Sequence, residues 1–155
     1  MDVPLSFRDL QPVDLDELGW TGGTAHQRLL AGYLERSWTG ALEVVAVQVG
    51  AGRLIGLGGV RFDVTDDAGE LWLLIVHQAW RDLGVGTALI AELEDRVRAR
   101  GRGWAQLNVE HDNVRAAHLY RRLGYREVGC HPEHWPTDDG REYVTVSTLM
   151  RRNLD

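Results

Sequence analysis

Residues 71–97, LWLLIVHQAWRDLGVGTALIAELEDRV, decide how this chain folds. The run Leu71 to Val76 is apolar throughout, the pattern of a strand covered on both faces rather than one at a sheet edge. From Val85 the period changes. Val85, Ala88, Leu89, Leu93 and Val97 form one stripe opposite Glu92, Asp95, Arg96 and Arg98, as on an amphipathic helix that Gly101 can end. Between strand and helix stand Gly84 and Gly86, one residue apart. Glycine lets the main chain approach a ligand without a Cβ in the way, and a helix starting there offers unpaired N–H groups and the positive end of its dipole. Such a turn can hold an anion, with Arg81 beside it to add charge, although glycines also serve tight turns alone.

Working outward, Pro4 to Leu10 reads as a short strand. Residues 11–20, QPVDLDELGW, carry helix-start chemistry in Pro12, Asp14, Asp16 and Glu17. Thr24 can cap a second helix on which Leu29, Leu30, Tyr33 and Leu34 recur at helical spacing. Leu42 to Val49 and Arg53 to Phe62 are rich in Val, Ile and Leu and flank Gly50-Ala51-Gly52, a hairpin signature. The turn Thr65 to Gly69 leads into the central strand, Glu70 to Val76. Beyond the long helix, Trp104 to Glu110 is a strand, Asp112 or Asn113 caps a helix ending at Gly124, and Tyr125 to Gly129 and Glu142 to Leu149 are strands. His131 to Gly140 reads as a loop. The order predicts an α/β fold with a mixed sheet.

At 155 residues the chain is expected to form one domain spanning 1–155, with 44% hydrophobic and 26% charged residues, an ordinary globular mix. No apolar run has the length of a membrane span. MDVPLSFRDL lacks the basic and apolar regions of a secretory leader, and Cys130 is the single cysteine, so a cytoplasmic location is the expectation. A net charge of −6 argues against nucleic acid as a partner. Cys130, His131 and His134 lack a fourth ligand at zinc spacing, so no metal is expected.

The glycine turn lacks the third glycine of a dinucleotide fingerprint, since Thr87 and Ala88 follow Gly86, and the chain has no Gly-Lys-Ser or Gly-Lys-Thr of a Walker loop. Arg81-x-x-Gly84-x-Gly86 after Ile75-Val76 instead resembles the acyl-CoA signature of the GNAT family of N-acetyltransferases. Glu70, Asn108, Asn113, Ala116, Ala117 and Tyr120 fall, in order, where that family places further site residues. The resemblance covers Glu70 to Gly129 and implies a single GNAT-like domain with a mostly antiparallel sheet of about seven strands and about four helices. It implies acetyl-CoA as co-substrate, a primary amine of a small molecule or peptide as acceptor, and direct transfer in a ternary complex. Ile75, Val76, Arg81, Asp82, Leu83, Gly84, Val85, Gly86, Thr87, Ala88, Asn108, Asn113, Ala116 and Tyr120 are the implied cofactor contacts. Asp82 and Leu83 depart from the Gly and basic residue many relatives carry, and the Asp82 side chain is expected to turn to solvent or to Arg81.

The chemistry needs a base, because an amine is mostly protonated at neutral pH. By resemblance Glu70 takes that role, with His77 or Glu110 acting through water as alternatives. The resemblance also implies a main-chain N–H at a bulge near Ile75 and Val76 to meet the oxyanion. Tyr120, two turns along the helix from Asn113, is the expected acid for the departing thiolate, though an aromatic at that spacing also suits packing. Arg115, Arg121 and Arg122 read as a solvated face, one of which could meet the 3′-phosphate. Residues 131–135, HPEHW, could line an acceptor pocket, and polyamines, aminoglycosides and lysine side chains are candidate acceptors. Two rival readings are a non-catalytic acyl-CoA-binding sensor and a binder of nucleotide phosphate through the glycine turn. A homodimer would cover exposed sheet edges.

Overall fold

The computed structural model describes residues 4–50 and 52–155. Ala51 of the glycine turn and the first three residues of the amino-terminal stretch lie outside the described residues. Seven strands form one sheet: β1 (Leu5–Asp9), β2 (Leu42–Val49), β3 (Arg53–Arg61), β4 (Ala68–Val76), β5 (Trp104–Glu110), β6 (Arg126–Pro136) and β7 (Glu142–Asn153). Their spatial order is β1-β2-β3-β4-β5-β7-β6, and β4 with β5 is parallel while the other neighbours are antiparallel. Three α-helices accompany them: α1 (Thr24–Ser37), α2 (Val85–Ala99) and α3 (Val114–Arg122).

The apolar stripe of α2 packs on one face of the sheet, where Val85, Leu89, Leu93 and Val97 meet Val60, Leu71 and Leu107. Leu30 and Leu34 of α1 cover the other face with Leu42, Val44 and Leu57. Each helix thus buries one side and leaves its charges in water, as its periodicity requires. Glu94 is the exception on α2, a carboxylate only 4% exposed. It accepts hydrogen bonds from the Tyr125 hydroxyl at 2.8 Å and from Arg152 Nη1 at 2.8 and 2.9 Å. Burial and the adjacent Glu94 push the Tyr125 phenol well above its usual range, so it stays a donor.

Three segments differ from the sequence expectation, each for a physical reason. Residues 11–20 close as two short 3₁₀ turns, Pro12–Glu17 and Gly19–Thr21, rather than an α-helix. Asp14 accepts the Gln11 N–H at 2.7 Å and both ends of the Arg8 guanidinium at 2.7 and 2.8 Å, which tethers the turn to β1. Gly23, not Thr24, occupies the N-cap of α1, and Asp138 from the β6–β7 turn accepts the Ala25 N–H at 2.8 Å in place of a local cap. His131 to Pro136 extends β6 as strand, pairing His134 with Val144 and Pro132 with Val146. β6 is an edge strand, so Pro132 and Pro136 deprive no further neighbour of an N–H.

In β4 the ladder with β3 slips between Leu57 and Gly59, so that Leu73 and Leu74 face the single residue Gly58. Leu73 takes φ +60°, a conformation uncommon for a bulky side chain. This bulge resets the alternation: Trp72 and Leu73 both pack toward the α1 face, whereas Leu71 and Leu74 pack toward α2. It lies two residues upstream of the expected position near Ile75 and Val76.

Removing Glu94 strands the buried Tyr125 hydroxyl and leaves the half-buried Arg152 guanidinium without its partner. Glu94→Ala is expected to destabilise the fold by about 2–3 kcal/mol in urea unfolding, whereas Arg36→Ala, which breaks the exposed pair with Asp63, is expected to cost under about 0.5 kcal/mol.

Candidate active site

Parallel pairing of β4 with β5 ends at Leu71 opposite Leu107. Beyond that point the strands part, and the opening leads into a cavity of about 740 Å³. α1, β4 and the β6–β7 hairpin bound it, through side chains including Tyr33, Trp72 and Trp135 respectively. The hydrogen bond between Asp138 and α1 joins those two walls. His26 beside it has its pKa lowered by burial, partly offset by Asp138, which favours the neutral ring.

Glu70 lines this cavity and is 8% exposed. It sits in a row of residues paired directly across four strands: Arg61 on β3, Glu70 on β4, Gln106 on β5 and Arg151 on β7. Gln106 Nε2 donates to Glu70 Oε1 at 2.9 Å, while Gln106 Oε1 accepts from Arg151 Nε at 3.1 Å. One carboxylate oxygen is thereby fixed and the other remains for the cavity. Tyr120 lines the same cavity from α3. Burial raises its pKa above the ordinary phenol value, so the hydroxyl keeps its proton through neutral pH.

The glycine turn stands at the carboxyl end of β4. Gly84 caps α2 with φ +84°, a left-handed conformation that suits glycine. A Cβ at Gly84 or Gly86 would meet no atom within 4 Å, so both glycines border open space. The Ala88 N–H donates to the Gly84 carbonyl at 3.1 Å, which corrects the expectation that this amide also faces a ligand. The N–H groups of Val85, Gly86 and Thr87 precede the first helical bond and have no partner among the described residues. The Val85 side chain is buried in the core, so its contribution at the turn is main-chain only, whereas Leu83 and Thr87 are exposed.

Other expected residues divide by placement. Ile75, Asn108 and Asn113 line the cavity; Val76 does not, and its carbonyl accepts the Arg81 Nε–H at 3.2 Å, folding that side chain back on the strand end. Asn113 Oδ1 accepts the Ala116 N–H at 3.2 Å, so its carbonyl serves as the α3 cap while Ala116 is half-buried behind it. Asp82 is largely exposed, as expected, and its ion-pair partner is Arg115 at the start of α3 rather than Arg81. Of the alternative bases, Glu110 lines the cavity and His77 does not. Sequence reasoning gave neither Arg61 nor Trp72 a place at the site. Only their register beside Glu70, which needs the fold, places them at the cavity.

The acetyltransferase (GNAT) family model matches residues 9–125. The [ribosomal protein bS18]-alanine N-acetyltransferase of Escherichia coli (strain K12) is 32% identical over 83 residues, which are 54% of this chain and 56% of that protein, so the chain spans about half the length of this curated relative. Among solved structures, a spermidine N-acetyltransferase SpeG chimera from Vibrio cholerae and hSSAT has a TM-score of 0.78 at 20% identity, over 97% of this chain and 95% of the other. The structure of yncA, a putative acetyltransferase from Salmonella typhimurium with its cofactor acetyl-CoA, has a TM-score of 0.71 at 19% identity, over 98% and 95%. Sheet order, the fork and the glycine turn agree with the family match over three quarters of the chain: the protein belongs to the acetyltransferase (GNAT) family.

Proposed function

We propose that the chain transfers an acetyl group from acetyl-CoA to an amine in one ternary complex. One observation carries the reading. A strand fork opens beside a helix start with three N–H groups unpaired among the described residues, and a carboxyl and a phenol line the cavity that the fork enters. Family membership and the acetyl-CoA named for the yncA structure support the choice of donor.

In this reading the amides of Val85, Gly86 and Thr87 hold the donor's diphosphate at the positive end of α2, with Arg81 adding charge. Arg115 offsets the Asp82 carboxylate nearby. Asn113 and Ala116 on α3 border the thioester arm. Main chain released from pairing near Leu73 meets the thioester oxygen. Glu70, anchored by Gln106, takes the proton of the incoming ammonium directly or through water. Tyr120 returns a proton to the departing sulfur, whose conjugate acid has a pKa near 8.5.

Calorimetry with acetyl-CoA and thiol release over an amine panel test the proposal. All seventeen cationic side chains are arginines, so no lysine amine of the protein competes with an added acceptor. Absence of binding at millimolar acetyl-CoA ends the donor assignment, and binding without release over the panel would mark an acyl-CoA-binding module instead.

Gly86→Val is expected to leave the fold intact, because a Cβ there meets nothing, and to weaken acetyl-CoA binding about tenfold or more by crowding the amides. Tyr120→Phe is expected to lower kcat by about two orders of magnitude. Because burial raises the Tyr120 pKa, any fall in wild-type kcat from loss of this proton should come at a pH above the ordinary phenol range. Glu70→Gln is expected to lower kcat/KM by about a hundredfold at neutral pH and to recover in part at alkaline pH, where the amine is already neutral; an equal loss at every pH would remove the base role.

A further inference from the structure

Three buried polar atoms have no hydrogen-bond partner among the described residues: Arg61 Nε, Trp72 Nε1 and Asn108 Oδ1. Buried polar groups are almost always paired in folded proteins, so three on one cavity wall require a cause. All three residues line the cavity beside the fork. Trp72 lies two residues along β4 from Glu70, and Asn108 two residues along β5 from Gln106, the register partner of Glu70. In parallel strands they therefore stand at one level, just past the last paired residues.

Arg61 reaches that level by stacking. Its guanidinium lies 4.3 Å from the Trp72 ring centre and 5.6 Å from that of Tyr33, which fixes its plane without using a donor. It makes no ion pair or hydrogen bond among the described residues, although Glu70 is its direct cross-strand neighbour. A held, uncompensated guanidinium with an indole N–H beside it matches the two oxygens of a planar carboxylate. Glu70, Glu110, Glu133 and Asp138 also line the cavity, and their repulsion is twice as large for a dianionic phosphate as for a singly charged carboxylate.

We propose that Arg61 and Trp72 anchor a carboxylate of the acceptor, while Asn108 Oδ1 accepts an N–H from its reacting amine. Neighbouring strands stand about 4.8 Å apart where they pair and widen at the fork, so the two groups of the acceptor lie a few ångströms from each other. That is the chemistry of an amino carboxylate, supplied by a free amino acid or by an amino-terminal aspartate or glutamate of a peptide. The proposal deepens the acyl-transfer reading and rests on it for the identity of the reacting amine.

The experiment compares free amino acids with their amides, and peptide amides beginning with aspartate or glutamate with those beginning with asparagine or glutamine. Thiol release is followed in wild type, Arg61→Gln and Trp72→Phe. The expected result is a kcat/KM at least about tenfold higher for the acid of a matched pair, the size of one charge-assisted hydrogen bond. That preference should fall toward one in Arg61→Gln, mainly through KM, and should shrink several-fold in Trp72→Phe, which keeps an aromatic face beside Arg61 but loses the indole N–H together with its five-membered ring. The pair showing the preference identifies the source of the carboxylate. Calorimetric titration of the same compounds in the presence of coenzyme A reads the anchor without turnover. Acid-selective binding lost in Arg61→Gln but with no thiol release would overturn acyl transfer and keep the anchor. Equal use or binding of acid and amide by wild type, or a preference unaffected by Arg61→Gln, overturns the anchor itself.

Discussion

Separation of β4 from β5 after Leu71 and Leu107 is the constraint on which the rest of the molecule depends. Two parallel strands ordinarily keep pairing to their ends, because an unpaired buried backbone group is costly. Here the bulge at Leu73 and Leu74 turns β4 away, and the main chain that loses its neighbour faces a cavity instead. α2 starts after one arm of the fork and α3 after the other, so both positive helix ends lie at its mouth. Packing of α2 through Val85, Leu89 and Leu93 holds the first arm, and Tyr125, tied to Glu94, sits where α3 returns to the sheet.

Charge inside the fork is managed by pairing across strands rather than by exposure. Glu70 is kept in place by a relay in which Arg151 orients Gln106 and Gln106 orients the carboxylate. Arg151 is itself steadied by Asp67 at 2.8 Å, and by stacking 4.8 Å from the Trp104 ring centre. At the mouth, Asp82 and Arg115 are largely exposed, so their pairing adds little stability. Its effect is local: it sets the field that an approaching anion meets.

Much of this fold is legible from residue order. β5 and the cap at Asn113 follow directly from Trp104 to Glu110 and the asparagine before α3, and α2 from its apolar stripe and Gly101. The family resemblance read from Arg81, Gly84 and Gly86 agrees with the family match. What was hidden depends on partners distant in sequence. Asp138 caps α1 from over a hundred residues away, and His131 to Pro136 becomes strand because β7 lies alongside. The position of the bulge was hidden too, since an unbroken apolar run looks alike wherever the register slips. Glu70 and Tyr120, which the family resemblance singled out, both line the cavity, whereas Arg61 and Trp72 belong to no motif and acquire meaning only from their neighbours across the sheet.

Gly59 pairs with Trp72 in the ladder, and a Cβ there would collide with the indole ring. The missing side chain is thus the berth in which the indole lies, and through that ring it governs where the Arg61 guanidinium is held. Width and polarity on one side of the cavity are accordingly set by a position outside its lining. A methyl group added at this glycine would push the indole outward and narrow the chamber, so acceptor choice in such a protein can drift through a residue no acceptor touches.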